Sequence, residues 1–279
     1  MGKALSARAV EQYKRDGFLF PVPALSREEA LGCRARLEAS ERRNGGPLKG
    51  NMRHKVHLLF PWAHELVTHP RILDAVEDIL GPDLLCWATN LFTKEAHDPA
   101  FVSFHQDATY WGLDPADVMT AWVALSDCPV NSGPMKFVPG SHHKQLAHHD
   151  TFHADNLLTR GQEIEVAVDE ATAATATVIL KAGEMSLHHV MVVHGSGPNE
   201  SDDRRIGLAI RYVPTYVRQV KMRDSATLVR GQDRHGNFDL EPAPRGDGDA
   251  AALAAHKAAM DRQVAVLYQG TGHKGEMRN

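Results

Sequence analysis

The chain has 279 residues, of which 43% are hydrophobic and 24% charged, with a formal net charge of -4. That balance supports a sizeable core and excludes a disordered chain, and it offers no basic surface for a polyanion such as nucleic acid. Cys33, Cys86 and Cys128 are odd in number and lack metal-type spacing, which excludes a disulfide scaffold and fits a reducing compartment.

The first fifteen residues are mixed in polarity with no apolar signal-peptide run, and no stretch approaches the length of a membrane span, so a cytoplasmic location is expected. Residues 6–16 and 26–43 carry helical patterning, the second opened by a capping box at Ser26 and Glu29. After a break at Asn44-Gly45-Gly46-Pro47, residues 70–80 set Ile72, Ala75, Val76, Ile79 and Leu80 at helical spacing and stop at Gly81-Pro82. This predicts an amphipathic helix against a sheet. From residue 84 to 217, short β-rich runs broken by Gly, Pro and Asn predict a barrel or jelly roll. Residues 234–249 read as an irregular segment, either a lid over the site or a connector. An Ala-rich helix at 250–269 then either docks on the sheet or supports a dimer, and the oligomeric state stays open between monomer and homodimer. The expected organisation is one domain, with a helical part over 1–83, a jelly-roll core over 84–220 and a C-terminal loop and helix over 221–279.

The chemistry concentrates at His105-Gln106-Asp107 and, far downstream, at His194 in Val192-Val193-His194-Gly195-Ser196-Gly197-Pro198-Asn199. On an extended strand the imidazole of His105 and the carboxylate of Asp107 point the same way. A second imidazole from another strand would complete a 2-His-1-carboxylate facial triad, which holds Fe(II) and leaves coordination sites open. With 17 histidines an H-x-D pair also arises by chance as a surface hydrogen bond. The strand-like context of both segments, the second ending in a Gly/Pro/Asn turn, favours the triad. Arg205 follows on the apolar strand 205–212, where it shares a face with Gly207 and Ala209, small residues that leave room for a ligand.

Taken together, H-Q-D at 105–107, Val138-Pro139-Gly140-Ser141-His142, the block from His194 to Arg205 and the segment Tyr13-Lys14-Arg15-Asp16-Gly17-Phe18 resemble the phytanoyl-CoA dioxygenase family over most of the chain. The resemblance implies a mainly β fold with flanking α-helices around a double-stranded β-helix, the cupin-like jelly roll. It implies an Fe(II)- and 2-oxoglutarate-dependent dioxygenase that uses O2, with His105, Asp107 and His194 as metal ligands and catalytic centre. By the same resemblance Arg205 binds the C5 carboxylate of 2-oxoglutarate, and Lys55, Trp122, Ser196 and Asn90 line the co-substrate pocket. In related halogenases a small residue replaces the carboxylate ligand, so Asp107 implies hydroxylation, or another oxidation such as desaturation, over halogenation.

Tyr110, Met135 and His188 are candidates for the substrate cavity, against the plainer reading that they fill the core. The basic segment 49–57, with Arg53 as its candidate contact, points to a small anionic metabolite such as a carboxylate or phosphonate, with a natural-product intermediate as another option. His142, His143, His148 and His149 read as a polar loop, since they lack structural-zinc spacing. The expected partner is thus a small molecule, with neither nucleic acid nor membrane. The reading from another class is a non-catalytic or differently metallated jelly-roll binding protein.

Overall fold

A computed structural model describes residues 2–168, 174–272, 275 and 277. In chain order the first elements are α1 (Ala7–Asp16), β1 (Phe18–Pro23), α2 (Arg27–Arg43), α3 (Val56–Leu59), α4 (Pro61–Val67) and α5 (Pro70–Leu80). Next come β2 (Leu84–Lys94), β3 (Val102–His105), α6 (Ala108–Trp111), β4 (Leu113–Asp114), β5 (Met119–Ala124), β6 (Met135–Phe137), β7 (His148–Asp150), β8 (Gln162–Ile164) and β9 (Ala176–Thr177). The chain continues through β10 (Glu184–His189), β11 (His194–Ser196), β12 (Arg205–Pro214), β13 (Arg218–Gln219), β14 (Ser225–Arg230), β15 (Asp239–Leu240) and α7 (Ala250–Leu267).

Local signals account for the helices. Ser26 accepts from the Glu29 amide while the Glu29 carboxylate accepts from the Ser26 amide, closing the capping box that starts α2. Gly17 ends α1 in a left-handed conformation, and α5 begins on Pro70 and stops at Gly81. Asp249 caps α7 by accepting from Ala251 and Ala252.

Two sheets face each other in a jelly roll. The larger runs β1-β10-β5-β12-β2-β14-β15 and the smaller β3-β11-β6-β9. The sheet extends beyond the expected 84–220 core at both ends, because β1 pairs with β10 and β14 pairs with β2. Pro21 and Pro23 interrupt the strand signal of β1, which suits an edge position. Alternation along β12 divides the molecule: Ile206, Leu208, Ile210 and Tyr212 pack outward on the helical layer, with Ile72, Leu73 and Val76 of α5. Arg205, Gly207, Ala209 and Arg211 point inward, between the sheets.

Residues 234–249 carry β15, which pairs with β14, and Glu241, which is buried beneath it in an ion pair with Lys55. This segment is therefore a fastened connector, and the cavity wall is formed by α7 with Leu157 and Leu158.

Candidate active site

The triad assembles where the two sheets open. His194 on β11 lies opposite His105 on β3, their ring centroids 4.2 Å apart. Asp107 joins them by a route other than strand alternation: β3 ends at His105, and Asp107 has helical backbone angles at the start of α6. That turn brings Asp107 Oδ1 to 3.4 Å from His105 Nε2. One donor atom from each of the three buried residues lies within 4.8 Å of the others.

The ring nitrogens are assigned by their partners. His105 Nδ1 lies 2.9 Å from the Ser103 carbonyl and His194 Nδ1 lies 3.0 Å from the Val192 carbonyl. A carbonyl only accepts, so both Nδ1 atoms carry the proton and both Nε2 lone pairs face the gap. Burial, then the neighbouring His105, pushes His194 down to about 4, which keeps it neutral at physiological pH. Burial raises the Asp107 carboxyl, but the neighbouring His105 and His194 rings and the Arg211 guanidinium prevail and hold it well below the usual carboxylate range. Two imidazoles with Nε2 toward the gap and a carboxylate fit a divalent transition ion such as Fe(II).

Gln106 fastens this centre. Its buried amide donates to Lys144 O at 2.8 Å and Met191 O at 2.7 Å, and its oxygen accepts from Leu146 N at 2.7 Å. The Gln106 backbone N–H donates to His148 Nε2 at 2.8 Å. The ligand-bearing turn is thereby stapled to the 141–146 loop and to the chain leading into β11.

Arg205 sits at one end of the cavity, 2% exposed, with its guanidinium 5.5 Å from the centre of the Trp122 ring. It donates to the Gly133 carbonyl, its Nε has no partner, and no carboxylate among the described residues pairs with it. An uncompensated buried guanidinium is costly, and a ligand carboxylate would offset that cost. Beside it the buried Lys94 ammonium donates to Ser196 Oγ at 2.9 Å and to the Gly197 carbonyl. Burial, then repulsion from Arg205, lowers Lys94 to about 6. The subsite fits the C5 carboxylate of a 2-oxo diacid.

Trp122, Ser196, Asn90, Tyr110, Met135 and His188 line the same cavity as the triad and Arg205. Two expectations fail. Lys55 lies outside the cavity lining, fully buried, its ammonium on Glu241 and on Ser225 O at 2.9 Å. Burial favours a neutral Glu241, but Lys55 and His57 outweigh it and hold the carboxyl well below its ordinary range. Arg53 is also turned away, donating to Leu91 O at 2.9 Å and Thr93 Oγ1 at 2.8 Å, which removes the basis for an anion site in segment 49–57. The space beside Gly207 belongs to the protein as well: a Cβ there would lie 1.8 Å from Trp122 Cζ2.

Sequence reasoning missed Lys94, Gln106 and Arg211. Arg211 was within reach, since alternation from Arg205 through Gly207 and Ala209 arrives at it. Lys94 pairs with Arg205 only through the β2–β12 register, which no local motif encodes.

A profile of the phytanoyl-CoA dioxygenase (PhyH) family matches residues 13–207. The solved apo structure of ThoJ, a non-heme monooxygenase, is 40% identical, with a TM-score of 0.83 covering 94% of this chain and 98% of that one. Its nickel complex superposes with a TM-score of 0.78 at 37% identity, covering 94% and 99% of the two chains. The "Probable alpha-ketoglutarate-dependent hypophosphite dioxygenase" of Stutzerimonas stutzeri is 30% identical over 178 residues, 62% of this chain, and the match spans 60% of that relative's length. The L-proline trans-4-hydroxylase of Streptomyces griseoviridis is 26% identical over 225 residues, 72% of this chain and 84% of that one.

Proposed function

Because the chain belongs to the phytanoyl-CoA dioxygenase (PhyH) family, we propose that it hydroxylates an unactivated C–H bond of a small organic molecule, using its buried triad and Arg205. It is an Fe(II)- and 2-oxoglutarate-dependent dioxygenase, with O2 as the second co-substrate. The balance is R–H + 2-oxoglutarate + O2 → R–OH + succinate + CO2. Bound at the site, Fe(II) supplies the O2 activation that no side chain can perform.

In this reading the Nε2 atoms of His105 and His194 and the Asp107 carboxylate hold the ion, and the Ser103 and Val192 carbonyls hold the rings in register. Arg205 takes the distal carboxylate of 2-oxoglutarate against the Trp122 face, and Ser196, held by Lys94, turns its hydroxyl proton toward the same group. Asp107 fills the coordination position that a halide would need, which favours hydroxylation over halogenation. Tyr110, Met135 and His188 bound the space left for the substrate, and the apolar wall from α7 excludes water from it. The three cysteines are free, and Cys86 and Cys128 are buried, in keeping with a reducing, cytoplasmic setting. Among the described residues no helix is long and apolar enough to cross a membrane.

The observation that carries the proposal is the convergence of two oriented imidazoles and one carboxylate beside a buried guanidinium that lacks an anion. The test is succinate release from 2-oxoglutarate by Fe(II)-loaded protein under O2, across small acids, amines and phosphonates. Turnover that depends on one substrate class and is lost in His105→Ala and Asp107→Ala is the expected result. Turnover that persists in both variants would overturn the assignment.

A further inference from the structure

Arg211 lies on the inner face of β12, six residues from Arg205 and so roughly 20 Å further along an extended strand. It pairs across the sheet with Thr120, which pairs in turn with His188, so its row is the one carrying the histidine whose ring centroid is 5.1 Å from that of His194. The side chain is 6% exposed and lines the cavity. Its Nη1 donates to Asn90 Oδ1, its guanidinium lies 4.9 Å from the centre of the Trp111 ring, and its Nε has no partner.

Among the described residues no carboxylate forms an ion pair with this cation. Asp107 is the one whose field reaches it, and Asp107 belongs to the triad. Asp224, also on the lining, accepts from Trp87 Nε1 at 2.7 Å and from Ser225 N at 2.8 Å. The fold thus holds a second buried guanidinium, fixed by an amide and an indole and short of an anion. Arg205 marks the opposite end of the cavity, so the two cations are suited to two different ligands. Leu157 and Leu158 with Val266 and Leu267 of α7 give the cavity an apolar stretch, beside the polar Thr159, Gln162 and Gln219 and the buried amide nitrogen of Gln263, which also lacks a partner.

We propose that Arg211 is the anion-recognition residue for the primary substrate, and that this substrate is an amphipathic acid. Its carboxylate, sulfonate or phosphonate lies against Arg211, its hydrocarbon part lies on the α7 wall, and a C–H between them faces the triad. The inference rests on the proposed roles of the triad and Arg205, which leave Arg211 free for the substrate.

The experiment uses full-length protein loaded with Ni(II), a redox-inert stand-in. Calorimetry first measures 2-oxoglutarate binding, then, at saturating 2-oxoglutarate, the binding of matched probes: hexanoate and hexanamide, phenylacetate and phenylacetamide, and hexylphosphonate. The expected result is that at least one acid binds wild-type protein about 10- to 100-fold more tightly than its amide. Arg211→Gln should erase that preference while holding 2-oxoglutarate affinity within about threefold, and Arg211→Lys should keep part of it. Three results would overturn the inference: no acid preference with any probe, a preference that survives Arg211→Gln, or a loss of 2-oxoglutarate binding in Arg211→Gln as large as in Arg205→Gln. The last would make Arg211 a co-substrate contact. Should Arg211→Gln not fold, the acid preference of wild type and its reduction in Arg211→Lys decide the matter. Wild-type protein that binds no 2-oxoglutarate in the first titration would instead refute the functional reading itself.

Discussion

Gly207→Ala tests the co-substrate end of the cavity without touching any proposed ligand. Gly207 stands diagonal to Trp122 across the β12–β5 pair, because Trp122 lies opposite Ala209. A Cβ at 207 would fall 1.8 Å from Trp122 Cζ2, 2.1 Å from Cε2 and 2.4 Å from Cη2. Ordinary contact begins near 3.4 Å, so the indole must retreat by roughly 1.6 Å. It has little room to do so, since it is 4% exposed and belongs to a core cluster with Phe18, Phe137 and Val192. Overpacking of this kind costs about 1–3 kcal/mol, which for a chain this long lowers Tm by roughly 2–10 °C.

The same movement strips the aromatic face from Arg205, a desolvated cation–π contact worth up to about 2 kcal/mol, and brings ring atoms toward the carboxylate subsite. Affinity for 2-oxoglutarate should fall by about tenfold or more. Thermal unfolding and calorimetric titration of Ni(II)-loaded protein measure the two effects. Adding Trp122→Phe removes the outer ring that bears the clashing atoms, so the double variant should be more stable than the sum of the single effects. A Gly207→Ala protein with wild-type Tm and wild-type affinity would refute the reasoning, because it would mean the indole does not occupy that space.

Lys94 should make co-substrate binding depend on pH. Its folded value near 6 means the amine is mostly neutral at pH 8, whereas an arriving carboxylate beside Arg205 favours the ammonium; binding then takes up a proton above pH 6. Calorimetric affinity for 2-oxoglutarate should weaken as pH rises from 6 to 8, by at most about tenfold per unit, and Lys94→Met should flatten that profile. Lys55→Met leaves Glu241 buried without its ammonium and should cost about 3–5 kcal/mol in chemical denaturation, while the folded protein keeps its 2-oxoglutarate affinity; a selective loss of that affinity would return Lys55 to the co-substrate site. Gln106→Leu breaks the staples to Lys144, Leu146 and Met191 and should weaken metal binding by about 10- to 100-fold in a competition titration, with the three ligands themselves intact.

What could be read from the sequence was what the chain states locally. The capping box of α2, the 3.6-residue stripe of α5 and the Gly-Pro stop after it are near-neighbour effects, and each appears within a residue or so of its expected place. The triad was legible for a mixed reason. His105 and His194 do stand on paired strands, but Asp107 reaches them because the chain turns into α6, so the alternation argument named a residue that joins the cluster by a different geometry. Lys55 and Arg53 failed because their partners are distant: Glu241 lies 186 residues beyond Lys55, and Leu91 lies 38 beyond Arg53. A basic cluster in sequence cannot reveal that each of its cations is already engaged.

The inner face of β12 shows why those engagements matter for function. Arg205 and Arg211 are on one strand and both line the cavity, and Lys94 faces Arg205 from β2. Outside the cavity Lys55 has a buried glutamate and the half-buried Arg204 a bidentate pairing with Glu41, while Arg53 is held by Leu91 O and Thr93 Oγ1. Arg205 and Arg211 differ from Lys55 and Arg53 in lining the cavity with an Nε that has no partner. The uncompensated charges instead make folding free energy available to anionic ligands, since a ligand that binds only the native state stabilises it by RT ln(1 + [L]/Kd), about 2.7 kcal/mol at one hundred times Kd. Metal and 2-oxoglutarate should therefore raise Tm together in wild-type protein. In Arg205→Gln the increment from 2-oxoglutarate should vanish while the increment from the metal remains, a separation that a purely structural role for Arg205 would not produce.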